Sequence, residues 1–264
     1  MTQFPEGLGI GRGRFRLERL LRGTPSDGLW TATDHERDRE VWVTLRYARH
    51  TQARAEKLGF KAFGIPAPLY IGPPDLYTPN GESVRDAHVC VVDDIPDGVD
   101  LARIGRLPLG DGIQLGIDLC EVVATWAAAA DGCILRGLRP ETIFVSAESH
   151  RFTGATPRPY FLLGNQNEFD AYPSISFDPP APGPYEIERR DAVFTVALLL
   201  WWVVTGVHPY VIRGTDTDRN EWEDHRLPFD GAAPLGHVLE RALVADPAAR
   251  SDLDELRSSL VRLQ

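Results

Sequence analysis

The segment that decides the fold is Leu135-Arg-Gly-Leu-Arg-Pro-Glu-Thr-Ile-Phe-Val145. Its last three residues, Ile143-Phe-Val145, form a short apolar run of the kind that predicts a buried strand. A second short apolar run, Tyr160-Phe-Leu-Leu163, follows after a more polar stretch. The two runs predict a pair of small strands around a turn, and residues 135–142 then form the loop that enters the first strand.

The N-terminal part of the chain is rich in strand signals. Alternating apolar residues predict strands over Phe15–Leu21, Leu29–Asp34 and Arg39–Tyr47, with dense turn residues between the first two. A further buried strand is predicted over His88–Val92. It is broken by Asp93-Asp-Ile-Pro-Asp-Gly98, which we interpret as a hinge. The strands in this order predict an antiparallel meander.

From residue 110 onwards the hydrophobic period is helical outside the two short strands. Gly110–Asp131 predicts a long amphipathic helix, and Asp191–Thr205 predicts a strongly apolar helix with Asp191 as its N-cap. Leu235–Leu263 predicts further helix, broken at Asp246-Pro247. A β-rich start followed by a helical remainder predicts an α+β fold.

Composition and charge narrow the classes of partner and compartment. The formal net charge is −10, so the chain as a whole repels phosphate backbones and nucleic acid is not an expected partner. The best candidate for a basic face is the short run Arg12-Gly-Arg-Phe-Arg16. The start, Met1–Glu6, has no features of a signal peptide, and the apolar run Ala192–Val204 is shorter than the roughly 20 residues that span a bilayer. We therefore expect a cytoplasmic protein without a membrane span.

Cysteine and glycine patterns give two more expectations. Cys90, Cys120 and Cys133 have no C-x-x-C spacing, which argues against a disulfide framework or a zinc site. The glycine-rich run Gly7–Gly13 has no predicted strand before it and no predicted helix behind it. We therefore interpret residues 1–14 as a flexible arm rather than as a phosphate-binding loop.

Three segments in this order resemble a bacterial Ser/Thr protein kinase. Leu135–Val145 is similar to the catalytic loop H-R-D-L-K-P-E-N-I-x-V. Asp191–Tyr210 resembles the long buried helix of the family and its T-G-x-x-P-[FY] turn, and Leu239–Arg250 resembles the closing L-x-x-x-L-x-x-D-P-x-x-R. The resemblance implies one two-lobed, protein-kinase-like domain, with a small antiparallel β-rich N-lobe over residues 1–94 and a mainly α-helical C-lobe over residues 95–264.

The resemblance also shows replacement of the groups that phosphoryl transfer requires. Thr44 stands in the place of the phosphate-binding lysine, and Gly137 replaces the aspartate that accepts the proton of the substrate. Thr142 and Gly164 stand in the places of the two metal ligands, the asparagine of the catalytic loop and the aspartate of D-F-G. The turn Arg22–Gly28 lacks the G-x-G-x-x-G spacing. The resemblance thus implies a degenerate, catalytically inactive member, a pseudokinase.

A few residues remain candidates for substitute chemistry. Arg46 follows Thr44 by two positions and shares its face of the strand, where it could touch a nucleotide. Asn165 is a second candidate for cofactor binding, and Glu168 and Asp170 are candidates for a cation after a shift in register. We expect no cofactor or metal, with ATP and Mg²⁺ as the weaker alternative.

Other residues match the scaffolding positions of the family. The resemblance assigns Asp191 the role of the buried aspartate that braces the catalytic loop. It assigns Arg250 the role of the arginine that pairs with a glutamate at the end of the activation segment, with Glu186 as the predicted partner. Arg136 and Glu141 match residues that shape the catalytic loop.

A retained scaffold without chemistry predicts a module that acts by binding. The expected partner is another protein, namely a kinase, a phosphatase or a component of a complex. The alternative is an enzyme with repurposed, nucleotide-dependent transferase chemistry in the same cleft. That reading depends on the substitute residues named above, and a modified product that is lost on changing Glu168 or Asp170 would favour it.

Overall fold

The computed structural model describes residues 7–47, 59–72, 74, 76–77, 83–84, 88–129, 135, 137–157, 189–210, 226–244, 246 and 248–264. The chain divides into two compact units. The first comprises residues 1–96 and 156–169, and the second comprises residues 97–155 and 170–264. The predicted lobes differ, because they have a single boundary between residues 94 and 95 and include no later segment in the N-terminal lobe.

The first unit is built on an antiparallel sheet of eight strands, in the order β5-β8-β4-β3-β2-β1-β6-β7. The four longest strands, β2, β3, β4 and β8, confirm the predicted meander. The bounds are β1 Gly9–Ile10, β2 Phe15–Thr24, β3 Asp27–Asp34, β4 Arg39–Tyr47, β5 Tyr70–Gly72, β6 Leu76–Tyr77, β7 Ser83–Val84 and β8 His88–Asp94.

One face of this sheet forms the core of the unit. Trp30 pairs in register with Val43, which pairs with Val92, and each of these side chains is at most 2% exposed. Because successive side chains of a strand point to opposite faces, Thr44 lies on the other face. The core is completed by Leu8, Ile10, Phe15, Leu17, Ala32, Val41, Leu45 and Cys90.

The predicted flexible arm is wrong for the part of it that the structure describes, residues 7–14. Gly9 and Ile10 form β1 and pair with Arg16 and Phe15. The side chains of Leu8 and Ile10 are 2% and 0% exposed. Leu8 and Ile10 alternate with the glycines of this run, and the sheet buries both side chains. Burial of apolar side chains stabilises an ordered strand, which the glycine-rich composition did not indicate. Residues 1–6 lie outside the described residues.

A partly buried ion pair joins the turn after β1 to the end of β3. The guanidinium of Arg14 donates two hydrogen bonds to the carboxylate of Asp34, from Nε at 2.9 Å and from Nη2 at 2.8 Å. The amide of Glu36 donates to the same carboxylate at 3.0 Å. The hydrogen bonds from Arg14 hold the pKa of Asp34 below its usual value, although burial acts in the opposite direction.

This pair predicts a pH-dependent stability. The pKa of Asp34 is depressed in the folded protein, so its contribution is complete above the unfolded pKa of about 3.9 and is lost as the pH falls through the folded pKa. We expect Asp34→Asn to lower the free energy of unfolding by about 1–3 kcal/mol at pH 7. Urea unfolding of both proteins at several pH values should show this difference shrinking below about pH 4. A difference that stays constant down to pH 2 would contradict the assignment.

The second unit combines a three-stranded sheet with α-helices. The sheet has the order β11-β10-β9, and both neighbours of β10 are antiparallel to it. The long helix α2 packs against α3 and α5. The bounds are β9 Val99–Asp100, α1 Leu101–Ile104, α2 Leu109–Ala129, β10 Ile143–Val145, β11 Phe152–Ala155, α3 Arg189–Thr205, α4 Ala233–Ala242 and α5 Leu253–Val261.

Small residues let α2 approach its neighbours closely. A Cβ atom on Gly116 would lie 2.9 Å from a methyl carbon of Leu200 on α3 and 3.0 Å from one of Leu260 on α5. By length and composition alone α2 could cross a membrane, but more than half of its apolar window is buried inside the protein. The core helix of a globular domain has the same two properties.

Candidate functional site

The turn between β2 and β3, at the place of the family's glycine-rich loop, is tight and forms hydrogen bonds within the hairpin. Strands β2 and β3 pair up to Thr24 and Asp27, so only Pro25 and Ser26 form the turn. The amide of Asp27 donates to Oγ1 of Thr24 at 3.2 Å, and Nε1 of Trp30 donates to the carbonyl of Pro25 at 3.2 Å. Phosphate loops bind through free backbone amides. Here one amide is occupied, and Pro25 has none.

The backbone conformation of the hairpin requires glycine at two positions, Gly23 and Gly28. Gly23 has φ +84°, a conformation that other residues rarely adopt. A Cβ atom on Gly28 would lie 2.4 Å from the carbonyl oxygen of Arg22 and 2.6 Å from that of Thr24. Close approach of the two strands therefore explains these glycines without any ligand.

Thr44, at the place of the phosphate-binding lysine, is 1% exposed. It lies on β4 between Leu29 of β3 and Val91 of β8. Its Oγ1 atom has no hydrogen-bond partner among the described residues. An uncharged, buried hydroxyl cannot supply the cation that the α- and β-phosphates of a nucleotide require.

Arg46, the candidate substitute for this lysine, is already paired with an acid. Its Nη1 atom lies 3.0 Å from the carboxylate of Asp27. Both side chains are partly exposed, at 22% and 34%. A phosphate group at Arg46 would have to compete with this carboxylate and would meet its negative charge at close range.

The first two residues of the predicted hinge, Asp93 and Asp94, lie in the first unit. The carboxylate of Asp94 pairs with Arg39, with Nη2 at 2.6 Å. The carbonyl oxygen of Asp94 accepts a hydrogen bond from Oγ1 of Thr156 at 3.2 Å. Asp93, one residue earlier, is 1% exposed. Thr156 follows Asp94 by 62 positions, so no local pattern of the sequence indicates this contact.

In the second unit, the catalytic-loop segment is closed by the hydroxyl of Thr142. This residue is fully buried and ends the short 3₁₀ turn Pro140–Thr142. Its Oγ1 accepts the amide of Arg139 at 2.9 Å and lies 3.0 Å from the carbonyl oxygens of Gly137 and Arg139. A hydroxyl has one proton to donate and two lone pairs. The proton and one lone pair are used by the loop itself, so Thr142 braces the loop.

Gly137, at the place of the catalytic base, has φ +81°. An L-residue with a side chain is strained by roughly 1–2 kcal/mol in this conformation, so the backbone favours glycine. Arg136, its predicted loop-shaping neighbour, lies outside the described residues. Glu141 is exposed and forms no ion pair with any residue that the structure describes, so the scaffolding role implied by the resemblance is not evident there.

The strand that pairs with β10 differs from the prediction. The partner is β11, Phe152–Ala155, and the other edge of β10 is occupied by β9. Both edges of β10 are therefore occupied by strands other than the predicted partner, the run Tyr160–Leu163, which lies outside the described residues. The resemblance places the D-F-G position at Gly164, directly after that run. The residue that follows the observed strand is Thr156, which carries no carboxylate. Gly164, Asn165, Glu168 and Asp170 lie outside the described residues.

Arg250 pairs with Asp191 in the interior of the second unit. Nη1 of Arg250 lies 2.9 Å from Oδ1 of Asp191, and the two side chains are 0% and 3% exposed. The guanidinium also donates to the carbonyls of Val244 and Arg190, and it stacks 4.8 Å from the ring centre of Phe194. The predicted partner Glu186 lies outside the described residues.

The position of Asp191 in its helix corrects a further prediction. Helix α3 begins at Arg189, so Asp191 lies within its first turn and is not the N-cap. A carboxylate in the first turn interacts favourably with the helix dipole. Together with Arg250 it ties the start of α3 to the segment before α5.

Among the described residues, no cluster of three or more His, Cys, Asp and Glu side chains could hold a metal ion. Cys90 and Cys120 are free and buried. Burial raises the pKa of the Cys120 thiol to about 12 and that of the Cys90 thiol well above its usual value, so neither is a reactive thiolate at neutral pH.

An antiparallel β unit and a helical unit with this loop between α2 and α3 define a protein-kinase-like fold. No protein-family model and no curated protein matches the sequence. Solved structures with this fold include the PknI kinase domain of Mycobacterium tuberculosis, with a TM-score of 0.64 and 16% identity over 98% of this chain and 99% of that chain.

Two mutant forms of the same domain are similar to an equal degree. A single mutant gives a TM-score of 0.64 at 16% identity and covers 99% of both chains. A double mutant gives 0.63 at 16% identity and covers 98% of both chains. The similarity extends over the full length of each domain, which confirms the predicted α+β, two-lobed kinase-like fold. At this level of identity it establishes the fold alone.

Proposed function

We propose that this chain is a pseudokinase, a kinase-like module that binds another protein and transfers no phosphoryl group. The observation that carries the proposal is the closed catalytic loop. The base position, Gly137, has no side chain, and the hydroxyl at the metal position, Thr142, is occupied by the backbone of the loop. Phosphoryl transfer depends on a positioned base and bound Mg²⁺, and neither residue can provide them.

The first unit supports the same proposal on the nucleotide side. The lysine position is a buried threonine, and the nearby Arg46 is paired with Asp27. The hairpin turn contains a proline and an internally bonded amide. A nucleotide triphosphate carries several negative charges, and these residues offer it no free cation.

The alternative of repurposed transferase chemistry draws on four residues. Of these the structure describes Arg46 alone, and its ion pair with Asp27 weakens that reading. We therefore favour a role in binding. The partner would be a true kinase, a phosphatase or a component of a larger complex in a bacterial cytoplasm.

The proposal predicts that Mg-ATP leaves the melting temperature unchanged. A ligand that binds only the native state stabilises it by about 2.7 kcal/mol at a concentration of 100 times its Kd, which a thermal unfolding curve resolves readily. The measurement compares Mg-ATP, ATP with EDTA, and Mg²⁺ alone, with a catalytically competent kinase domain as the positive control.

Two results would overturn the proposal. A rise in melting temperature with Mg-ATP would show that a nucleotide site exists. Incorporation of labelled phosphate or nucleotide into a protein substrate, detected by mass spectrometry, would show that the chain is an enzyme. Loss of that product in an Arg46→Ala variant would then favour the transferase reading.

A further inference from the structure

Three exposed arginines lie close together on β2 and on the turn before it. Arg12, Arg16 and Arg19 are exposed, and none of them forms an ion pair with any residue that the structure describes. Arg12 lies in the turn between β1 and β2 with φ 57°, a conformation that is uncommon for residues other than glycine.

The register of β2 places the other two charges on one face. Arg16 pairs with Thr33 of β3, and Arg19 pairs with Thr31, across a bulge between Leu17 and Arg19. Thr33 and Thr31 are two positions apart on one strand, so they share a face and are separated by roughly 7 Å. The bulge therefore brings Arg19 onto the face of Arg16.

Other arginines of the same unit form ion pairs with carboxylates. Arg14 binds Asp34 and Glu36, Arg39 binds Asp94, and Arg46 binds Asp27. The chain has 38 acidic residues against 28 Lys and Arg, so acidic partners are plentiful. Neighbouring cations that form no ion pair with a described residue repel one another.

Two further side chains complete this surface. Leu21, the next exposed residue of β2 after Arg19, is a large apolar side chain that is 39% exposed. Glu18 is the single acid of the strand, and its carboxylate accepts a hydrogen bond from the hydroxyl of Thr33. The stretch thus offers three cations, one acid already engaged with the sheet, and an apolar contact.

We propose that Arg12, Arg16, Arg19 and Leu21, the arginine surface, dock an acidic segment of a partner protein. This inference rests on the proposed function and names the chemistry of the partner. Carboxylates of the partner would pair with the three guanidiniums, and an apolar side chain between them would cover Leu21. The net charge of −10 disfavours nucleic acid, because only these few cations would oppose a strongly repelled phosphate backbone.

The test measures binding of a defined probe to the full-length chain. The probe is a short fluorescein-labelled peptide of alternating glutamate and valine, followed by fluorescence anisotropy at low and at physiological salt. The test variant carries Arg12→Glu, Arg16→Glu and Arg19→Glu. The charge-matched control carries Arg106→Glu, Arg151→Glu and Arg262→Glu, three exposed arginines that belong to the second unit.

We expect the chain and the control variant to bind the acidic peptide with similar affinity, and the test variant to bind it at least about tenfold more weakly. Leu21→Ser should weaken binding without changing its salt dependence. Equal losses in the test and control variants would overturn the proposal, since the effect would then be net charge. Absence of binding up to about 1 mM peptide, or preferential binding of a single-stranded oligonucleotide, would also overturn it.

This outcome is separable from that of the proposed function. A chain that does not bind the peptide but also ignores Mg-ATP would remain a pseudokinase without this docking surface. A chain that binds the peptide and phosphorylates a substrate would keep the surface and lose the pseudokinase assignment. Thermal unfolding of both triple variants checks that each is folded, and a charge reversal on an exposed strand face leaves the buried core untouched.

Discussion

Replacing Arg250 by alanine is expected to lower the free energy of unfolding by about 3–5 kcal/mol. The change removes the partner of Asp191 and leaves that carboxylate buried, with 3% of its side chain exposed. It also leaves the carbonyls of Val244 and Arg190 without their guanidinium donor and removes the contact with the ring of Phe194. Urea unfolding followed by circular dichroism measures the loss.

The matched control is a second arginine–carboxylate pair on the surface of the same unit. Arg241 and Glu255 are 64% and 40% exposed, and an exposed pair contributes about 0–1 kcal/mol. If Arg250→Ala costs no more than Arg241→Ala, the buried pair is not a determinant of stability. The double variant Asp191→Leu and Arg250→Met removes both charges and should recover much of the loss, because well-packed apolar residues often replace buried pairs without cost.

The sequence could predict a scaffold role for Arg250 but not its pairing with Asp191. The motif Leu239–Arg250 marks the arginine as part of the kinase-like scaffold. Asp191 and Arg250 are separated by 59 residues, and several acids lie near the start of α3 in sequence. Which of them meets the guanidinium depends on how helices pack, and no local pattern contains that information.

The misplaced strand has a similar cause. Phe152–Ala155 contains Gly154 and an exposed Thr153, whereas Tyr160–Leu163 is more apolar and looks more like a buried strand. Hydrophobic pattern alone therefore favoured the later run. The decisive fact is that β9 and β11 occupy both edges of β10, which is a property of the assembled sheet.

The fold itself could be predicted because several independent signals agreed. The meander, the long apolar helix and three ordered motifs all indicated one kinase-like architecture, and agreement across levels is what specifies a fold. The site was harder to predict, because the sequence shows which residue stands at a family position but not which contacts that residue makes. The hydroxyl of Thr142 and the carboxylate of Asp27 acquire their functions only through contacts in the folded chain.

The glycines of the β2–β3 hairpin provide the second large effect. Gly28→Ala is expected to destabilise the protein by about 3 kcal/mol or more, in the absence of any nucleotide. The added Cβ would lie 2.4 Å and 2.6 Å from two backbone carbonyl oxygens, and rotation of a side chain cannot relieve such a contact. The neighbouring Ser26→Ala lies in the turn and should change stability by less than about 0.5 kcal/mol.

Two measurements check this expectation. Thermal unfolding compares the variants without ligand, and peptide-resolved thiol labelling reports opening of the first unit through Cys90, which is fully buried in it. We expect Gly28→Ala to accelerate labelling of Cys90 more than that of Cys120, which lies in the second unit. If the variant yields too little soluble protein for a melting curve, the labelling pattern in freshly refolded chains gives the same comparison.

The result bears directly on the function of the hairpin. A glycine retained for a nucleotide would be needed where a phosphate approaches the backbone, and its replacement would affect ligand binding more than the stability of the free protein. A glycine required by the strand pair itself affects stability whether or not a ligand is present. Unchanged stability of Gly28→Ala, combined with a Mg-ATP response that this substitution abolishes, would contradict both the structural role of the glycine and the pseudokinase proposal.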